Sequence, residues 1–427
     1  MSHESVEPGR AVVYTLPARP SDTLRSLQFS HFFRHYLGTA FSVRTTDGWS
    51  WSSSLLHDPA FIASFRNRDR LDAVIGDATE ATLGRIFLDG DLDIQGDIFA
   101  VLSVAEYTLR HSEGLSGNLI QTISRLTLEV SRRLKPGRRA SPLQNWHRSP
   151  CPLNLPVEFF EPWLGNTLSH SCALFRKSEE DFAVAQQNAL EYTCDALNLG
   201  RGDRLLDVGC GWGSLLLYAA RHSDADVQGI ASTELQAETA AERIVRGGHA
   251  RRCSVACRDL RVSPYRPEAW DKITDIGIFE QVAFADLADY LSCMHQLLVP
   301  GGLLLLHRMT RARASRGPSI CSLHPDLFAE SLSRELDTAE ACGFEVIRLD
   351  CLQRQYEQTL RMWIDSLRQS WFREMCHPSH REYRAWLLYL VEAATNLQTG
   401  DLQVHRVILR RPSPARMARL RETRDAN

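Results

Sequence analysis

Residues 205–214 read LLDVGCGWGS, and this stretch limits the possible folds more than any other. An apolar run reaches Asp207 and Val208, glycines follow at 209, 211 and 213, and SLLLYAARHS continues with helical periodicity. Glycines at every second position allow positive φ and bring the backbone close to a ligand. The pattern then repeats: DVQGIAS reads as a strand and ELQAETAAERIVRG as a helix, while KITDIGIF and GGLLLLHRM read as further buried strands. Such alternation predicts an α/β fold with a central, mostly parallel sheet covered by helices on both faces. A ligand would sit beyond the carboxyl ends of the strands, at the glycine loop.

The identity of that ligand follows partly by exclusion. A dinucleotide fingerprint needs glycine where Ser214 stands, and an acidic residue after the second strand, where the chain reads GIASTELQ. No lysine follows the loop, which excludes a P-loop. In a strand–loop–helix setting, D-x-G-x-G-x-G is the pattern of S-adenosylmethionine-dependent methyltransferases with a Rossmann-like fold. A sulfonium needs close backbone approach rather than phosphate recognition.

The 427 residues suffice for two or three domains. Residues 1–130 read as a smaller α+β domain. In it TAFSVRTTDGWSW has the central Asp-Gly of a hairpin, and ATLGRIFLDGDLDIQGDIFAVLSVAEYTL starts and ends helix-like around a turn-rich middle. Asp89, Asp91, Asp93 and Asp97 in that middle lack EF-hand spacing and its terminal glutamate, which argues against calcium. Residues 131–150 form a basic, Pro/Gly-broken linker, either a solvated connector or a patch for anionic head groups. The catalytic domain is expected over 151–412. It starts in earnest with RKSEEDFAVAQQNALEYTCDALNL, a helix in which Ser178 and Asp181 suggest a capping box. An Arg-rich tail, 413–427, is expected to fray.

A net charge of −3 argues against general nucleic-acid binding. Eleven scattered cysteines, with Cys253 and Cys257 the closest pair, show no zinc-ligand spacing and fit free thiols in a reduced compartment. The N-terminus lacks a signal-peptide pattern, and no apolar run approaches the roughly 20 residues that span a bilayer. A cytoplasmic protein is expected, meeting the inner face of the membrane only peripherally.

With these pieces in order, residues 150–412 resemble the cyclopropane-fatty-acyl-phospholipid synthase family. The resemblance rests on SHSCALF, AQQNALE, LLDVGCGWGS, IFEQVAF, LVPGGLLLLH, RQYEQTL and DLQVHRVIL. IFLDGDLDIQGDIFAVL also looks like the N-terminal domain of bacterial members, so the likeness covers most of the chain. It implies methylene transfer from S-adenosylmethionine to the cis double bond of an unsaturated phospholipid chain at a membrane surface. The alkene attacks the electrophilic methyl, a carbocation results, and a bound bicarbonate removes the proton that lets the ring close. The resemblance also implies a homodimer and no nucleic-acid partner.

Residue by residue, it implies that the backbone N–H of Cys172, the carboxylate of Glu280, His307 and Tyr356 hold the bicarbonate, with Met309 contributing backbone. For S-adenosylmethionine it implies His170, Ser171, Gly209, Gly211, Ala231, Ser232 and Gln236, with Asp259 and Leu260 on the adenine side. The sequence departs from the family at Pro152–Asn154, where His-Tyr-Asp is usual, and at Gln281 for histidine. It also departs at Ala231 for threonine, Ala393 for cysteine and Ala394 for glutamate. These changes lie mostly on the acyl and bicarbonate side. They leave open a related C-methyltransferase making methyl-branched chains or acting on a small soluble metabolite, and a non-catalytic lipid- or cofactor-binding relative.

Overall fold

In the computed structural model, residues 20–54, 56–76, 80–111, 155–258, 265–277, 286–311, 331–373 and 380–416 are described. The chain divides into two compact units, residues 1–138 with 379–385, and residues 139–378 with 386–427.

The first unit holds α1 (Pro20–Phe32), β1 (Phe41–Thr45), β2 (Ser50–Ser52), β3 (Phe61–Phe65), α2 (Arg68–Gly76), α3 (Glu80–Leu88), β4 (Leu92–Gly96) and α4 (Ile98–His111). Its four strands are ordered β2-β1-β3-β4. The Asp47-Gly48 turn, with Gly48 at positive φ, closes the antiparallel β1–β2 hairpin that the sequence predicts. Phe29, Phe33, Phe41, Trp49, Trp51 and Phe61 pack as its aromatic core. The turn-rich Asp/Gly middle differs from expectation, because residues 92–96 pair with β3 as a full strand. Its carboxylates are occupied by protein groups: Asp91 pairs with Arg66 and Arg70, Asp93 with Arg384, and Asp97 caps α4.

The second unit opens with α5 (Val157–Leu164) and α6 (Phe182–Ala196). Helix α6 starts later than the capping box suggests. Asp181 itself accepts from the N–H groups of Ala183 and Val184 and is the N-cap, rather than Ser178. Then come β5 (Arg204–Val208), α7 (Ser214–His222), β6 (Asp226–Ala231), α8 (Glu234–Arg246), β7 (Cys253–Cys257), β8 (Trp270–Ile276), α9 (Leu287–Leu297) and β9 (Leu298–Arg311). The unit ends with α10 (Leu332–Ala341), β10 (Glu345–Cys351), α11 (Gln353–Arg373), α12 (His380–Thr399, of which 386–399 belong here) and β11 (Leu402–Arg410).

Seven strands form one sheet in the order β10-β11-β9-β8-β5-β6-β7, parallel from β9 to β7, with β11 antiparallel to both neighbours. Alternate residues of each strand feed opposite faces. Leu206, Val208, Ile273, Leu304, Leu306 and Val407 pack with Leu291 and Met294 of α9. Leu205, Val227, Leu305 and Ile408 pack with Leu190 and Leu197 at α6 and Leu216 and Ala219 of α7. Within the parallel strands the chain order runs outward from β5 in both directions, to β9 on one side and β7 on the other, so the switch point lies at the carboxyl end of β5, where the glycine loop begins. The Arg-rich end is held at its start, since Arg411 donates to the carbonyls of His295 and Leu298 and Arg416 to Glu345.

Candidate active site

The glycine loop uses its glycines. Gly209, Gly211 and Gly213 have φ of +79°, +53° and +83°, values that cost other residues about 1–2 kcal/mol each. The N–H groups of Gly209 and Cys210 both donate to the carbonyl of Ile230, which closes the loop onto β6. A Cβ on Gly213 would stand 3.2 Å from the Cβ of Ala240. A Cβ on Gly211 would meet no atom of the described residues within 4 Å. Gly213 therefore serves helix packing, and Gly211 borders open space at the strand ends.

Strand register places distant residues in one line. Asp350 pairs with Arg406, Arg406 with His307, and His307 with Ile276. Val208 pairs with both Asp275 and Ile230, so Gly209 is level with Ile276 and Ala231, and Ala231 pairs with Cys257. The glycine loop, Ala231, with Ser232 just beyond, and His307 thus share the carboxyl edge of the parallel strands. Met309 follows two residues after His307 on the same strand.

Segment 166–175 is clamped over this edge. Ser214 donates to the carbonyl of Thr167 at 2.6 Å, and Arg243 of α8 donates to the carbonyls of Trp212, Asn166 and Thr167. The AQQNALE motif supplies the other side: Gln186 donates to the carbonyl of Leu164 at 2.9 Å and Asn188 to that of Leu174 at 3.1 Å. From α11, Thr359 accepts from the N–H of Ala173 at 3.1 Å, and Gln355 bonds both the N–H and the carbonyl of Phe175. Tyr356, next to Gln355, is thereby brought to the segment that carries His170, Ser171 and Cys172. The hydroxyls of Ser171 and Ser169 lie 2.9 Å apart.

Aromatic rings line the space between loop and strand. His307 and Tyr356 have centroids 6.1 Å apart, Tyr356 and Trp363 6.1 Å, and His170 stacks on Trp363 at 4.9 Å and 22°. Trp386 and Trp163 stand edge-on to His170, and Phe160 packs against Trp386 and, at 4.5 Å, against Trp212 of the glycine loop. This ribbon puts His170, His307 and Tyr356 in one wall. Gln236 lies on the first turn of α8, buried, with its Oε1 lacking a partner among the described residues. An unpartnered buried acceptor beside an open glycine loop fits a ligand that brings its own donor. Asp259, Leu260, Glu280, Gln281 and Pro152–Asn154 lie outside the described residues.

The charges are unusual. Burial, with the nearby Arg406 charge, pulls His307 down to about 3, so its imidazole is neutral at ordinary pH. Burial pushes the Cys172 thiol up to about 12, although Arg406 and Thr359 act the other way. Cys194 and Cys253 are likewise raised to about 12 by burial. These thiols stay protonated and unreactive.

Asp207, buried and accepting from Thr274 at 2.7 Å, is raised to about 7 by burial. Its folded-state pKa lies above the ordinary 3.8. Its contribution to stability is therefore complete below pH 4 and is lost as pH rises through 7, at about 1.4 kcal/mol per unit. Asp207→Asn should gain on the wild type in thermal unfolding between pH 5 and pH 8. A difference that does not change with pH would contradict this.

Sequence reasoning missed Arg406, Thr359, Gln355 and, in the ribbon, Trp163, Trp363 and Trp386. One signal was present: in LQVHRVILR an arginine sits among strand-forming apolar residues, an unfavourable inward position unless the charge has a task.

A family model described as mycolic acid cyclopropane synthetase matches residues 151–407. A probable fatty acid methyltransferase of Pseudomonas putida is 28% identical over 338 residues, 77% of this chain and 82% of the relative. Cyclopropane mycolic acid synthase 1 of Mycobacterium tuberculosis is 27% identical over 268 residues, 59% of this chain and 92% of the relative. The crystal structure of mycolic acid cyclopropane synthase CmaA1 complexed with SAH and CTAB superposes with a TM-score of 0.57 at 26% identity, covering 63% of this chain and 98% of the other. The chain belongs to the mycolic acid cyclopropane synthetase family and is an S-adenosylmethionine-dependent methyltransferase of the cyclopropane synthase type.

Proposed function

We propose that the protein transfers a methylene from S-adenosylmethionine to the cis double bond of unsaturated phospholipid acyl chains, with bicarbonate as the base. The observation that carries this reading is the row that sets neutral His307 level with the glycine loop, under a continuous aromatic wall. When bound, S-adenosylmethionine supplies an electrophilic methyl carbon and bicarbonate a proton acceptor. Gly209, Gly211 and Gln236 are assigned to the cofactor with His170, Ser171, Ala231, Ser232, Asp259 and Leu260. His307, Tyr356, Glu280 and the backbone of Cys172 are assigned to the base.

The rest of the chemistry asks the chain to exclude water and to tolerate positive charge on an apolar substrate. The faces of Tyr356, Trp363 and Trp386 suit both, because aromatic faces attract cations and their burial keeps water out. His307, held neutral, orients the base through a hydrogen bond without adding charge.

Cys172 is not asked to be a nucleophile. Cys172→Ser should keep turnover within about 10-fold of wild type, whereas losing a covalent nucleophile costs several orders of magnitude. A folded, cofactor-binding but dead Cys172→Ser enzyme would overturn that assignment.

The function itself is tested with labelled S-adenosylmethionine and vesicles of unsaturated phospholipid. Label in the lipid, with cyclopropane proton signals by NMR, is the expected result. Label only in a soluble product would refute it. A methyl-branched product is the second reading, favoured by the likeness to a probable fatty acid methyltransferase, and the same NMR spectrum separates the two.

The proposal extends to partner and place: peripheral contact with a membrane surface, and a homodimer. Exposed Leu24, Leu27, Leu37 and Leu56 of the first unit support an apolar contact there. Among the described residues no helix is long and apolar enough to cross a membrane.

A further inference from the structure

We infer that Arg406 is the counter-charge of the oxyanion bound at this site, a positioning residue that directs its guanidinium fork to a small planar anion beside His307. The inference rests on the proposed function in placing such an anion there.

Arg406 is buried, 3% exposed, in the middle of β11. It is the direct cross-strand partner of His307, so the two side chains rise from the same face of the sheet as neighbours. Its guanidinium carbon lies 4.4 Å over the ring of Tyr192 on α6, and Arg348 sits 5.2 Å from the same ring. The carboxylate in reach, Asp350, serves others: it accepts from the hydroxyl of Tyr192 and, at 2.9 Å, from Arg348. Two guanidinium groups therefore share one carboxylate. The Nε of Arg406 has no partner among the described residues.

A buried charge left this way is costly unless something else completes it. Of the groups it faces, Tyr192 bonds it through its side chain, but none gives it a carboxylate of its own. Tyr192 is held above its ordinary pKa by burial and Asp350, the Cys172 thiol is protonated, and His307 is neutral. The charge field of Arg406 reaches both Cys172 and His307, two of the residues assigned to the base. A guanidinium matches a planar oxyanion through paired N–H donors, a geometry an ammonium lacks. An anion bound there would complete the hydrogen bonding of Arg406 and offset the positive charge that the cofactor brings.

The test compares wild type, Arg406→Gln and Arg406→Lys in carbon-dioxide-depleted buffer. Binding of 13C-labelled bicarbonate is followed by NMR, and turnover is measured against added bicarbonate. Removing a charge-assisted hydrogen bond should raise the half-saturating bicarbonate about 10- to 100-fold in Arg406→Gln. S-adenosylmethionine binding should stay within roughly threefold of wild type. Arg406→Lys should recover part of the bicarbonate affinity, and it carries the test should the glutamine variant fail to fold.

Wild type that binds bicarbonate, with both folded variants binding it equally well, overturns this inference and leaves the proposed function standing. Wild type with neither bicarbonate binding nor bicarbonate dependence overturns the proposed base, and this inference with it.

Discussion

His307→Ala is expected to lower turnover about 100-fold or more while S-adenosylmethionine binding stays within roughly threefold of wild type. The imidazole lies on β9, next to β8 and level with the glycine loop, and has Tyr356 and Arg406 as neighbours. Loss of the side chain would therefore remove the partner proposed for the base and leave the glycine loop intact. A variant that loses cofactor affinity in proportion to turnover would move His307 from the base to the cofactor.

The same histidine has a pH signature. Its folded-state pKa, near 3, lies below the ordinary 6.5, so the stabilisation is complete above pH 6.5 and is lost as pH falls toward 3. Wild type should lose ground to His307→Ala on acidification by about 1.4 kcal/mol per pH unit in that window. Nitrogen NMR should find His307 neutral at pH 5, and the pH–rate profile should show no limb from it near 6.5.

The second large effect divides the glycine loop into two functions. Gly211→Ala should weaken S-adenosylmethionine binding at least about 10-fold, with a loss of stability limited to the left-handed strain, about 1–2 kcal/mol. Its added methyl would project into open space where the cofactor is assigned, not into protein. Gly213→Val should instead lose about 3 kcal/mol or more, because a β-branched residue at φ +83° would also push into Ala240 of α8. Equilibrium dialysis with thermal unfolding on both variants reads the two effects separately. If Gly211→Ala binds cofactor like wild type, the ligand does not approach that part of the loop.

The glycines also show what is legible in the sequence. Alternating glycines after a buried strand imply left-handed backbone, and all three have it. A strand-then-helix period implies a covered parallel sheet, and the seven-stranded sheet follows. Misreadings came where short polar runs admit two local structures. LDIQG has the composition of a turn but pairs with β3, where alternate partners Phe61, Ala63 and Phe65 are buried. Asp181 outcompeted Ser178 as a cap because its carboxylate takes two N–H groups at once.

The residues that assemble the site were less legible, for a different reason. Thr359 and Gln355 act on backbone groups some 180 positions away in sequence, and no local periodicity marks such a contact. Ser214 read as the residue that spoils a dinucleotide fingerprint, but it is the hydroxyl that ties Thr167 to the start of α7.

The sequence by itself determined the alternation of strands and helices around the glycine loop, the loop itself and the methyltransferase class, because hydrophobic period and backbone conformation are local properties of the chain. Only the tertiary structure decided which residues share the row at the strand ends. Sheet order and register set Arg406 beside His307 from 99 positions away, and burial, a property of the whole fold, then left the imidazole neutral and pulled the Arg406 guanidinium below its ordinary pKa.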